Sequence, residues 1–116
     1  MPLERPRPAP GAIDTGHEGD DEQLRLLAGE APLSVPRHWT HYLFCADRAA
    51  AERLAQELSA GWETTVGPTP DATGFWVSAH RDQATVSARE VRLTRAELTA
   101  LAARFGGEYD GWRAWM

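Results

Sequence analysis

The sequence predicts an α+β fold in which two helices lie on one face of a four-stranded antiparallel sheet, after a short N-terminal helix. Three observations carry this. Segments with strand-like alternation and segments with helical apolar spacing follow one another as β-α-β-β-α-β between residues 37 and 116. Gly and Pro punctuate the joints, at Gly61, between Gly67 and Gly74, and at Gly106 and Gly107. Helices of about 13 and 18 residues fit a core this small only if both pack on the same side of the sheet. The arrangement is a ferredoxin-like βαββαβ sandwich.

Each element has its own signal. Trp39 to Cys45 is rich in aromatic and apolar residues and reads as the first strand. Asp47 suits the N-cap of a helix from Arg48 to Ala60, with Gly61 just past its end. Ala51, Leu54, Ala55 and Leu58 form its apolar stripe. Trp62 to Val66, with Thr64, Thr65 and Val66 β-branched, is the second strand. Phe75 to His80 is the third, with Phe75, Val77 and Ala79 on one side and Trp76, Ser78 and His80 on the other. A long helix ends at Phe105. Two capping boxes compete for its start, Ser87-x-x-Glu90 and Thr94-x-x-Glu97. Val91, Leu98, Leu101, Ala102 and Phe105 share a face, which favours the earlier start. Glu108 to Met116 is the last strand.

The N-terminal third differs. Residues 1–20 hold four Pro and three Gly but only Leu3 and Ile13 as large apolar residues, so they are expected to be a disordered leader. Residues 21–36 are expected to form a short helix and a linker. Asp20 or Asp21 would cap the helix, Leu24, Leu26 and Leu27 would dock it, and Gly29 would stop it. Pro32 and Pro36 keep the linker extended.

The chain has 116 residues and a net charge of −5, from 17 acidic residues against 12 basic ones, all Arg. Residues 1–36 hold seven acids against three Arg; residues 37–116 hold ten against nine, so the body is close to neutral. That balance is poor for coating nucleic acid by charge. One Cys excludes an internal disulfide and a multi-Cys zinc site. With no long apolar run and no secretory signal at the start, a cytoplasmic protein without a membrane segment is expected.

Five Trp exceed what one small core requires. Alternation sets Tyr42 and Phe44 against Trp39, His41 and Leu43, so some of Trp39, Tyr42 and Trp76 are expected on the helix-free face, as partner-binding residues or under the N-terminal segment. At the C-terminus, Phe105-Gly106-Gly107-Glu108-Tyr109-Asp110-Gly111-Trp112 is the most specific segment. Gly106 and Gly107 turn the chain from helix to strand. Asp110 and Gly111 suit an Asx turn or a bulge that re-aims Trp112. The segment builds the last strand, and Tyr109, Asp110 and Trp112 are candidates for a binding surface.

This octapeptide, with Pro36-Arg37-His38-Trp39 and the Ala-rich helix after Asp47, resembles the regulator of ribonuclease activity B family of bacterial ribonuclease E inhibitors. The resemblance covers residues 20–116 or so. It implies a ferredoxin-like fold and a non-catalytic inhibitor, which binds the endoribonuclease or its complex and slows RNA cleavage. No cofactor or direct nucleic-acid contact is implied.

Other chemistries are weaker. His38 and His41, three apart on a strand, point to opposite faces, so no metal site is expected from them. Cys45 reads as a small buried apolar residue, and a Cys45–His41 pair lacks an orienting group. Glu108 and Asp110 share no identifiable pocket that would raise a pKa. RNA binding by sheet aromatics is the main rival, with Gly74-Phe75-Trp76-Val77 as its faint signature; a small-ligand-sensing module of the same fold is the other.

Overall fold

The computed structural model describes residues 13–116. Helix α1 (Glu18–Glu30) precedes strand β1 (Arg37–Cys45), helix α2 (Arg48–Leu58), strands β2 (Glu63–Pro68) and β3 (Phe75–Ala84), helix α3 (Ala88–Arg104) and strand β4 (Glu108–Trp115). The four strands form one antiparallel sheet in the order β2-β3-β1-β4. The protein is thus α+β, with three helices. Helix α2 packs over β2 and β3, α3 packs over β4 and β1, and α1 rests on α3.

The core forms because alternation and helical spacing point at each other. Trp39, Leu43, Cys45, Val77 and Ala79 project from the sheet; Leu54 and Leu58 meet them from α2, and Val91, Leu98 and Ala102 from α3. Both central helices begin with a side-chain cap. Asp47 accepts the Ala50 N–H at 2.8 Å, and Ser87 accepts the Glu90 N–H at 3.2 Å. The earlier of the two expected starts of α3 is the one used. Gly106, at φ +71°, turns the chain out of α3, and the Gly107 N–H bonds the Ala102 carbonyl at 2.8 Å. A side chain on Gly107 would stand 2.5 Å from the Phe44 carbonyl oxygen.

Several boundaries differ from expectation. Helix α2 ends at Leu58 and β2 starts at Glu63, shifts of one or two residues at fraying ends. Helix α1 starts at Glu18, with His17 as its cap and neither Asp20 nor Asp21; the His17 Nδ1 accepts the Asp20 N–H at 3.1 Å. Asp21 instead takes the Thr15 N–H and hydroxyl, at 2.7 and 2.6 Å. Gly29 lies inside the helix and does not stop it. The helix end is held from beyond it: buried Arg37 donates to the carbonyls of Leu27, Ala31, Pro32 and Val35 at 2.9–3.3 Å. Its charge suits the negative end of the helix. Of the expected leader, residues 1–12 lie outside the described residues.

Strand β3 runs four residues beyond its expected end at His80. Residues 81–83 are polar and carry no alternation; pairing with β1 sustains the strand. Trp39 faces Arg81 and Arg37 faces Ala84, so His38 alone stands against Asp82 and Gln83. That is a β-bulge, with Gln83 at φ +51°.

Candidate functional site

Among the described residues the sheet has one covered and one open face, and the expected site residues divide between them. Trp39 corrects the expectation for the open face: it points under the helices and is 1% exposed. Alternation says which residues share a face, and here the helices cover the face of Trp39, His41 and Leu43. Trp112 lies on the same side and is also buried. A bulge puts it there: Tyr42 pairs with Gly111 and Leu43 with Tyr109, leaving Asp110 as the extra residue and Gly111 at φ +127°.

The indole N–H of Trp112 donates to Asp20 at 2.8 Å. Arg95 grips the same carboxylate with two bonds, of 2.6 and 2.8 Å. Gln23 adds a bond to the Trp112 carbonyl at 2.9 Å. These contacts fasten α1 to α3 and β4. Burial pushes the Asp20 pKa up, but the bonds from Arg95 and Trp112 outweigh it and hold the carboxyl below its usual value.

Tyr109 also faces inward and is half-buried. Its hydroxyl shares a 2.7 Å hydrogen bond with Nδ1 of His41, which is fully buried. Burial, helped by the nearby Arg81 charge, lowers the His41 pKa to about 3, so the ring is neutral at pH 7. Trp39 and Trp62 pack on it at 4.4 and 4.9 Å between ring centroids. Burial pushes the Tyr109 and Cys45 pKa values up. These residues are neutral packing groups.

The open face carries His38, Thr40, Tyr42 and Phe44 from β1, Trp76, Ser78, His80 and Asp82 from β3, and Trp115 from β4. Tyr42, Phe44 and Trp76 are half-buried, and none belongs to the core. Their burial comes partly from glycines. A side chain on Gly67 would meet the Trp76 ring at 2.6 Å, and one on Gly74 would meet the Phe44 ring at 2.5 Å. The rings therefore lie flat on bare backbone and keep their other side outward. Register sets Glu63 opposite His80 and Glu108 opposite Phe44, which adds carboxylates to this face. Asp110 is exposed, and with Tyr42, Gly111, Trp112 and Arg113 it lines a shallow depression of about 440 Å³. Of the six expected binding residues, Tyr42 and Asp110 thus meet at one exposed place, where Trp112 touches the rim while its ring points inward. Trp76 lies elsewhere on the open face, and Trp39, Tyr109 and the Trp112 ring face inward.

Sequence reasoning missed one cluster. His38 and His41 do point to opposite faces, but His38 meets His80 and Asp82. Asp82 Oδ1 lies 2.5 Å from His38 Nδ1 and 2.7 Å from His80 Nε2. Those bonds, from His80 and then from His38, lower the Asp82 pKa. The signal present was His80-x-Asp82, two residues that share a face if the strand continues. The contribution of His38 needed the β1–β3 register.

No helix among the described residues is long and apolar enough to cross a membrane. No curated protein matches the chain. The family model described as regulator of ribonuclease activity B matches residues 19–113, from the start of α1 to the end of the Gly106–Trp112 motif. With nearly all of its described elements inside that match, the chain belongs to the regulator of ribonuclease activity B family, and its role is the regulation of ribonuclease activity.

Proposed function

We propose that this protein is a non-catalytic inhibitor of an endoribonuclease of the ribonuclease E type, and that it slows RNA turnover by binding the enzyme or its complex in the cytoplasm. The observation that carries this reading is the open sheet face. Tyr42, Phe44 and Trp76 present partly exposed rings that no described helix covers. Preordered aromatic rings are the chemistry of protein-binding hot spots. The βαββαβ order and the helices on one side support a ferredoxin-like sandwich, which leaves such a face free.

Charge favours a protein over RNA as the ligand. Glu63, Asp82 and Glu108 share the face with Arg113 and would repel phosphates. They suit an Arg-rich segment of an enzyme, as does the acidic N-terminal third of the chain. The carboxyls with shifted pKa values, Asp20, Asp71 and Asp82, all lie below the usual range, which suits acceptors of hydrogen bonds and not general acids.

The test mixes the purified chain with ribonuclease E of the same organism and follows binding and RNA cleavage in the same tubes. Binding with slower cleavage is expected. No binding at tens of micromolar overturns the reading. Slower cleavage without enzyme binding, with Trp fluorescence quenched by single-stranded RNA alone, would assign the face to RNA.

A further inference from the structure

We propose that His38, His80 and Asp82 bind a divalent transition-metal ion of the Zn²⁺ class at one end of the open sheet face. Their donor atoms all lie within 4.8 Å of one another. Two imidazoles and one carboxylate suit Zn²⁺, Cu²⁺, Ni²⁺ or Fe²⁺, and not Mg²⁺ or Ca²⁺, which take oxygen ligands.

The sheet builds the site. His80 and Asp82 sit two apart on β3 and share a face. His38 comes from β1, fixed by the pairs Thr40–His80 and Trp39–Arg81. The bulge at Gln83 follows immediately, so the regular ladder ends where the three groups converge. Such bulges often re-aim side chains at functional sites.

The support around the ligands also fits. His80 Nδ1 lies 2.6 Å from the hydroxyl of buried Thr40, which fixes the ring and aims Nε2 at Asp82. Metal-binding histidines are held in this way through their second nitrogen. The Trp115 ring stacks near both histidines, at 5.5 Å from His38 and 5.7 Å from His80.

Without an ion, each imidazole donates an N–H to the shared carboxylate oxygen. An ion takes the lone pairs of those two nitrogens, so each neutral ring must hold its single proton on its other nitrogen. The His80 proton then moves to Nδ1, where it is donated to the Thr40 hydroxyl, and the His38 proton moves to Nε2. A tetrahedral ion with bonds of about 2.1 Å needs donors about 3.4 Å apart, so the two His–Asp82 separations, of 2.5 and 2.7 Å, must open by less than about an ångström. His38 and Asp82 can do this, because their side chains are 45% and 59% exposed. Three protein ligands leave one position open for water or for a group from a partner. Glu63, opposite His80 on β2, adds negative potential nearby.

The test titrates the full chain with Zn²⁺ by calorimetry, above the imidazole pKa of about 6.5. The expected result is one ion per chain with micromolar affinity. His38→Ala and Asp82→Asn should each weaken it by about tenfold or more, while His17→Ala leaves it unchanged. A second readout needs no variant: in the proton spectrum, the ring signals of His38 and His80 should shift with Zn²⁺ while those of His17 and His41 stay. Binding that survives His38→Ala and Asp82→Asn, or no heat and no ring shifts at millimolar Zn²⁺, overturns the proposal.

Discussion

The two faces of the sheet use the same strands and similar residues to opposite ends. The covered face holds Trp39, Trp112 and His41, all buried, with the histidine neutral. The open face holds Tyr42, Phe44, Trp76, Trp115, His38 and His80, partly exposed, with both histidines bonded to a carboxylate. The number of aromatics is thus no measure of core size. What separates a packing ring from a presented one is the layer above it. The covered face has two helices and a fastened third; on the other face the Trp76 and Phe44 rings lie over Gly67 and Gly74, and no described helix lies above them.

Substitutions can break or sharpen this division. Trp39→Ala removes the largest fully buried side chain and should cost about 4 kcal/mol in urea unfolding. A loss below about 1 kcal/mol would mean that Trp39 is not a core residue. Asp20→Ala leaves the Arg95 guanidinium and the Trp112 indole N–H unpaired at the α1 junction and should cost about 3 kcal/mol. An unchanged urea midpoint would show that α1 contributes nothing to the covered side.

Trp76→Ala should do the reverse. Stability should fall by about 1 kcal/mol, while affinity for the ribonuclease should fall by about 2 kcal/mol, roughly thirtyfold. An unfolded variant would move Trp76 to the packing side of the division. Unchanged affinity would take the face out of docking.

The pH dependence separates the histidines. His41 has a pKa of about 3 when folded and about 6.5 when unfolded, so between those values the unfolded chain binds the extra proton. Stability from this group is complete above pH 6.5 and falls by about 1.4 kcal/mol per pH unit as the pH drops below it. Asp20, whose pKa is also depressed, adds its own loss only below about pH 4, so pH 6.5 to 4 isolates the histidine. Unfolding of the chain and of His41→Gln, compared across that window, should differ by this slope. Parallel curves would place the His41 ring in water.

The sequence showed the element order, the stripe of α2, the Ser87 cap and the faces of β3, because each rests on residues close together in the chain. It did not show which face the helices cover, so it left open whether Trp39 or Tyr42 lies beneath them. Asp20 read as a cap because its partner Arg95 is 75 positions away. Asp82 fell past the expected end of β3, because a polar segment shows strand character only through its neighbour. The Asp110–Gly111 bulge was legible, since Gly tolerates the φ that it requires.

That bulge has a consequence for how copies of the chain meet. β4 and β2 are the sheet's two edges, and an exposed edge invites a strand from another molecule. At β4 the extra Asp110 breaks the even row of backbone donors and acceptors and sets a charge beside it. At β2 the strand is six residues long and ends in Gly67 and Pro68, and proline has no N–H to offer. Both borders are therefore defended against edge-to-edge aggregation. A protein so guarded can keep a sheet face that no described helix covers without inviting its own strands to polymerise.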